Sequence, residues 1–324
     1  MRRKENVLFL QKKYYNYRPH CCLIMKINCL VVTYNRLDLL KENLESLRCQ
    51  SFPINKIVIV DNCSTDGTAS FLEKYRDNPN YVIVRTDKNI GGAGGFSLGL
   101  KESVKQGCDY TWMMDDDTIP HNSALEELVK VVQQKQNVGF VCSRVNWVDG
   151  NLHVMNKPDL LGKSEADDVV DCVSCSFVSV MVSTKAVYKV GLPIKEFFIW
   201  CDDTEYTSRI SDAGYSCYYV KNSIVLHKTG TNYSFQIDLA PANVAWRFYY
   251  QARNTCYLKR RKKSFKLFFY IYVLNKYRKY LRKLKRRPDG GGKEFRDAIK
   301  RGCMDGLTFN PPIEYVDSSF NQPL

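Results

Sequence analysis

From position 25 onward the chain alternates between two patterns. Short apolar runs at 27–32, 56–60, 81–86, 110–114 and 138–142 read as strands. Between them, 37–49, 66–76, 93–106 and 121–135 carry helix-like spacing. Strands separated by helical stretches of this length imply βαβ units, so the expected fold class is α/β with a mostly parallel sheet. Residues 1–24 show neither pattern. They read as a leader, either disordered or upstream of a native start at Met25.

Ligands of such sheets bind outside the carboxyl ends of the strands. The residues that follow the runs are "TYN" at 33–35, "DNCSTDGT" at 61–68, "DKNIGGAGGF" at 87–96 and "DDDT" at 115–118. All are polar and two bear glycine. Four such strand ends facing one crevice read as a nucleotide site. Taken singly, each is also ordinary turn and helix-cap chemistry.

The triplet at 115–117 follows the apolar run "YTWMM". Residues i and i+2 leaving a strand point the same way, so Asp115 and Asp117 can converge while Asp116 points elsewhere. Converging carboxylates repel unless a cation sits between them, and Mg²⁺ and Mn²⁺ commonly share carboxylates with substrate phosphates. A helix cap at Asp117 ahead of Pro120 is the competing reading, but it needs one Asp rather than three. His227 closes the apolar run "SIVLH" and is a candidate third ligand; the alternative is a satisfied structural histidine. The stretch "NIGGAGGF" does not fit GxGxxG, because Ser97 stands where a glycine is required. Its glycines permit close backbone approach to a ligand and a tight turn into a helix, or mark a flexible loop.

"FFIWCDDTEY" at 197–206 crowds four aromatics and three carboxylates into ten residues, with no Lys or Arg among them. Either the acids complement the N-terminal dipole of a helix running to Asp212, or chemistry there needs negative charge beside an apolar wall.

Composition narrows the class. The chain has 324 residues, 44% hydrophobic and 25% charged, which suits one large domain or two smaller ones. Its 13 cysteines are scattered and odd in number, and no secretory signal is convincing, so they read as reduced thiols of a cytosolic protein. Cys172 and Cys175 form a lone CxxC, short of the four ligands of a closed zinc site. The net charge of +14 is local: residues 259–287 hold 14 Lys and Arg and no acid, and elsewhere the two signs balance. A nucleic-acid-binding reading would rest on that segment alone. The acidic triplet and the neutral remainder speak against it, so no nucleic acid is expected as a partner. No apolar run reaches the roughly 18 residues of a membrane span.

Together these motifs resemble family 2 glycosyltransferases of the GT-A nucleotide-diphospho-sugar fold, and among them bacterial galactofuranosyltransferases and their rhamnosyltransferase-like relatives. The resemblance runs over residues 26–310 through "VVTYNR", "VDNCSTDGT", "NIGGAGGF", "MDDDT", "GLPIKEFFIWCDDTEYTSRI" and His227, in the family's order. It implies roles. Thr33, Tyr34, Asn35 and Asp61 bind the nucleoside, with Asn89, Gly91, Gly92 and Asp116 also on the donor side. Asp115, Asp117 and His227 hold Mn²⁺ or Mg²⁺. Asp203 is the catalytic base, flanked by Asp202 and Glu205 at the acceptor hydroxyls, and Trp200 stacks on the acceptor sugar. Cys201 departs from the pattern of many relatives and receives no role. The implied reaction is an inverting transfer from UDP-galactofuranose to a glycan or lipid-linked acceptor, with dTDP-rhamnose as the alternative donor. A nucleotidyltransferase or non-transferring sugar-nucleotide binder would call for a cationic, glycine-rich first loop, where "TYNRLD" has only Arg36.

The expected organisation is a GT-A catalytic domain at 25–235, a basic helical extension at 236–310 and a tail at 311–324. Within the extension, Phe265, Phe269, Val273, Tyr277, Tyr280, Leu281 and Leu284 fall near one helical stripe, with Lys276, Lys279, Lys283 and Arg286 on other faces. This predicts a helix lying on the anionic inner face of the cell membrane. The competing reading packs the aromatics on the catalytic domain.

Overall fold

The computed structural model describes residues 25–162, 167–232, 236–262, 266–287 and 292–317. The expected leader, Phe265 and the last seven residues of the tail lie outside the described residues. The elements run β1 (Ile27–Thr33), α1 (Leu37–Arg48), β2 (Lys56–Asp61), α2 (Thr68–Leu72), β3 (Tyr81–Arg85), α3 (Gly91–Lys105), β4 (Tyr110–Asp115), β5 (Thr118–Pro120), α4 (Ala124–Gln134) and β6 (Val138–Asn146). They continue through β7 (Asp159–Leu160), β8 (Val169–Ser174), β9 (Val180–Ser183), α5 (Thr184–Val190), α6 (Asp202–Asp212), β10 (Ser216–His227), α7 (Arg247–Arg261), α8 (Lys266–Leu284) and α9 (Lys293–Gly306).

One sheet takes the order β3-β2-β1-β4-β9-β6-β10-β8-β7, with β5 attached to β10. Its first four strands are mutually parallel, as the βαβ pattern predicts. β9 then runs antiparallel between β4 and β6, and β10 returns parallel to β6. The fold is therefore α/β, a mixed and largely parallel sheet flanked by helices. Every residue of β1 is buried, which fits a central strand covered on both faces. One covering layer includes α1, whose Leu40, Leu44 and Leu47 recur on a single face, and α4. The opposite layer holds α3, α5 and α6. α3 lies close on the sheet because Gly99 has no side chain there: a Cβ would stand 2.2 Å from Leu30.

The helices α7, α8 and α9 form a further cluster around Phe248, Phe269, Phe295 and Ile299. The tail turns back to the sheet domain, where Glu314 pairs with both Lys101 and Lys195. The stripe predicted for the membrane faces inward instead. Phe269, Val273 and Leu284 are buried in this cluster, and Tyr277, Tyr280 and Leu281 pack on it. The exposed apolar residues of α8 are a different set, Leu267, Phe268, Tyr270, Ile271 and Leu274. The run 267–274 is apolar at every position, so periodicity could not assign its inner face. Among the described residues no helix is long and apolar enough to cross a membrane.

Candidate functional site

The sheet topology assembles the acidic centre. β4 delivers Asp115, and the short β5 just beyond pairs antiparallel with β10, setting Thr118 opposite His227. Ligand atoms of Asp115, Asp117 and His227 all lie within 4.8 Å of one another, the one such cluster of three among the described residues. His227 Nδ1 is tied to Asn156 Oδ1 at 2.9 Å, which turns Nε2 to within 3.1 Å of Asp117 Oδ1. That approach makes no aligned hydrogen bond, and Asp117 Oδ1 is left buried without a hydrogen-bond partner. His153 packs beside His227 with ring centres 4.7 Å apart, its own Nε2 2.9 Å from Thr229 Oγ1. An imidazole fixed through one nitrogen, two carboxylates and an orphaned oxygen fit a divalent cation.

Electrostatics agree with that fit. Burial, reinforced by Asp117, pushes Asp115 up to about 7. Burial also raises Asp116 to about 6, although Arg36 opposes the shift. Burial acts on Asp117 in the same direction, but His227 and Arg36 outweigh it and hold this carboxyl below its ordinary value. Such a cluster carries more negative charge than the protein compensates. Arg36 supplies the nearest cation, bridging Asp117 and, at 3.3 Å, Asp116. Asp116 turns away from the other two and accepts from Thr33 Oγ1 at 2.8 Å and from the Tyr34 amide at 3.2 Å.

The neighbouring strand ends are tied to one another. Asn35 Oδ1 accepts from the Thr65 amide, and the Asn35 amide donates to Ser64 Oγ. Asp61 is fully buried; it accepts from the Ser64 amide and pairs with Arg85. Asn89 Oδ1 accepts from the Gly91 amide at 2.8 Å, just ahead of α3. Gly91 has φ +75°, and a Cβ there would stand 2.1 Å from the Phe198 carbonyl. That packing by itself requires glycine at this position. Gly92 has open space above it and lines the cleft.

The block at 197–206 turns into α6 through strained backbone. Phe198, Trp200 and Cys201 all have φ near +67° (66°, 67° and 68°), a region that L-residues rarely adopt. α7 holds them there. Asn254, fully buried, donates to the carbonyls of Phe197, Ile199 and Trp200 at 3.0, 3.2 and 2.8 Å, and Arg253 Nη2 donates to Glu196 O at 2.5 Å. Sequence reading missed Asn254, and a lone Asn within a helical pattern gave no signal for it. Asp202, Asp203 and Trp200 reach the cleft. Burial raises the carboxyls of both Asp202 and Asp203. Glu205 does not reach it. It is fully buried, held by Arg209 at 2.9 Å and Arg261 at 2.7 Å, and the expectation that it meets the acceptor is corrected. One turn along α6 from Cys201, it points into the protein, where two guanidinium groups compensate its charge.

The cleft has a volume of about 810 Å³. Asp115, Asp117, His227 and Arg36 line it together with Trp200, Asp202, Asp203 and Gly92, and α7 closes it with Arg247 and Gln251. Thr33, Tyr34, Asn35, Asp61, Asn89, Gly91 and Asp116 stand outside that lining. Cys172 and Cys175 lie in the buried core with Cys142 and Cys217.

Comparison with known proteins agrees with the fold. The family model described as Glycosyl transferase family 2 matches residues 29–180. A poly-β-1,6-N-acetyl-D-glucosamine synthase of Staphylococcus aureus is 25% identical over 149 residues, 46% of this chain and 34% of that protein. The chain thus spans about a third of the length of that relative. A galactofuranosyltransferase, GlfT1, of Mycobacterium tuberculosis is 22% identical over 215 residues, 63% of this chain and 70% of that protein. Among solved structures, GalNAc-T7 with UDP, GalNAc and Mn²⁺ superposes with a TM-score of 0.54 at 14% identity, over 64% of this chain and 44% of that one. Residues 29–180 thus match the glycosyl transferase family 2 model, and the fold is of the GT-A kind.

Proposed function

We propose that this chain is a family 2 glycosyl transferase that moves a sugar from a nucleotide-diphosphate donor to an acceptor hydroxyl, inverting the anomeric carbon. One observation carries the reading: a single cleft joins a cation-competent cluster, Asp115, Asp117 and His227, to two adjacent carboxylates beside Trp200, buried Asp202 and half-buried Asp203. Asp115, Asp117 and His227 would hold Mn²⁺ or Mg²⁺, which when bound offsets the charge that builds on a departing nucleotide diphosphate. Asp203 takes the proton of the attacking hydroxyl. Burial raises its carboxyl, against hydrogen bonds from Thr204 that lower it, and a raised carboxylate is a stronger base. The carboxyl of adjacent Asp202 is raised as well, by burial and by the neighbouring Asp203 charge, so the two titrate as a pair. Trp200 offers an apolar ring to the C–H face of the acceptor sugar. Gly92 leaves room for the donor, and the strand ends bearing Thr33, Tyr34, Asn35 and Asp61 take the nucleoside.

UDP-galactofuranose is the donor we favour, on the similarity to the mycobacterial galactofuranosyltransferase and on the motif block at 197–206. A glycan or lipid-linked glycan is the acceptor, and the exposed apolar residues of α8 would seat the protein on the inner face of the cell membrane. The test is release of nucleotide from UDP-galactofuranose, UDP-N-acetylglucosamine and dTDP-rhamnose, with and without Mn²⁺. Cation-dependent release of UDP from UDP-galactofuranose is expected. Release of dTDP alone would replace the donor, and no release from any of them would count against a transferase.

A further inference from the structure

A second cavity, of about 170 Å³, lies between α7 and α8 and is lined by Ile237, Gln251, Lys276, Lys279, Tyr280 and Lys283. The lysines are spaced i, i+3 and i+7 on α8, so one helix face brings them to the same small space. Among the described residues that line the cavity there is no carboxylate. Lys276 is half-buried, with its ammonium 5.2 Å from the centre of the Tyr280 ring. Burial holds its pKa below the ordinary lysine value, and Lys279 acts in the same direction. Three like charges converging on a partly dry space without an acid call for an anion from outside the chain.

The position says which anion. Gln251 lines both this cavity and the cleft, and Tyr280 donates its hydroxyl hydrogen to Gln251 Oε1 at 3.2 Å. The cavity therefore opens beside the part of the cleft walled by Trp200, on the helix whose Asn254 fixes the Trp200 carbonyl. The donor's own diphosphate belongs with Asp115, Asp117 and His227. On the same helix as the lysines, toward its N-terminus, stand exposed Leu267, Phe268, Ile271 and Leu274.

We infer that the Lys276–Lys279–Lys283 cavity binds a phosphate or diphosphate group of the acceptor, whose sugar reaches the cleft past Gln251. This rests on reading the cleft as a transferase site. The group arrives either on a lipid-linked sugar, with its chain along the apolar residues of α8, or on a phosphorylated glycan.

The test is calorimetric titration of the full chain in EDTA, which keeps the acidic cluster from offering a second diphosphate site. The probes are farnesyl diphosphate, inorganic pyrophosphate and farnesol, against wild type and a Lys276→Gln, Lys279→Gln, Lys283→Gln variant. Both diphosphates are expected to bind wild type and to lose at least tenfold in affinity on the variant, with farnesol indifferent to the substitutions. Tighter binding of farnesyl diphosphate than pyrophosphate assigns the lipid-linked source; equal binding assigns the phosphorylated glycan. No binding to wild type, or equal binding to wild type and variant, overturns the inference. Folding of the variant is checked by UDP binding with Mn²⁺, and if it misfolds, Lys279→Gln alone at its exposed position decides by the same criterion. Failure of wild type to bind UDP would remove the transferase reading while leaving the diphosphate titration to be judged on its own.

Discussion

Asp115, Asp117 and His227 differ in how the protein treats their charge. Asp117 is held ionised by His227 and Arg36, whereas Asp115 sits near 7 because burial and Asp117 both oppose its charge. A cation must displace the proton from Asp115, so its affinity rises with pH until Asp115 is fully ionised. Mn²⁺ binding, followed by calorimetry, should weaken as pH falls from 8 to 6, approaching about tenfold per unit well below the Asp115 value. A flat profile would remove Asp115 from the ligand set. Asp117→Ala and His227→Ala should each weaken Mn²⁺-dependent UDP binding, and unchanged binding in both would remove the cluster. The convergence of Asp115 and Asp117 was legible in the alternation of side chains leaving a strand. Asn156, which orients His227, was not, because it comes from a loop 71 residues away. Glu205 was misread for a related reason: the motif shows three acids in four positions, but only helix geometry shows which of them turn inward.

At the scale of elements, the turn at 197–201 that leads into α6 and the helix α7 act together. The turn stores unfavourable backbone at Phe198, Trp200 and Cys201, and Asn254 satisfies three of its carbonyls. One amide group has two hydrogens, so one of them is shared between carbonyls. Asn254→Ala removes these bonds and should cost about 2 kcal/mol in denaturant unfolding. It should also lower kcat while leaving UDP affinity near wild type, since the nucleotide meets other elements. Equal loss of UDP binding would make its role general rather than local. The first half of the sheet followed from the alternation of apolar and helical patterns. β8 and β9 did not, because short antiparallel strands inserted among buried runs leave no βαβ spacing to read. α8 formed as expected, but with its expected membrane face turned to α7 and α9. The exposed set now makes the prediction: Leu267→Ser, Phe268→Ser and Ile271→Ser combined should reduce pelleting with anionic vesicles by about tenfold or more. Salt should weaken the wild-type interaction, and equal pelleting of both proteins would dismiss the contact.

At the scale of the molecule, the basic helices and the sheet domain meet in one cleft. Residues before 130 supply Asp115, Asp117, Arg36 and Gly92, while α7 supplies Arg247 and Gln251 to the same lining. The family model ends at residue 180, so Trp200, Asp202, Asp203 and His227 lie beyond the part it covers. That division matches the chemistry we propose, with donor and cation held mainly by the first part and the acceptor activated by the second. Part of the local excess of 14 positive charges holds the fold: Arg261 pairs with buried Glu205, and Arg260 and Arg287 donate to backbone carbonyls of the helical cluster. The division of labour makes the two functions separable in a single residue. The most direct measurement is sugar-transfer turnover of Asp203→Asn alongside its UDP affinity in Mn²⁺. Turnover should fall about 10²–10⁴-fold, the usual loss for a missing general base, with UDP affinity unchanged. Turnover of about a third of wild type or more, or a loss explained by failed UDP binding, would contradict the assignment of this cleft as the place where the acceptor is activated.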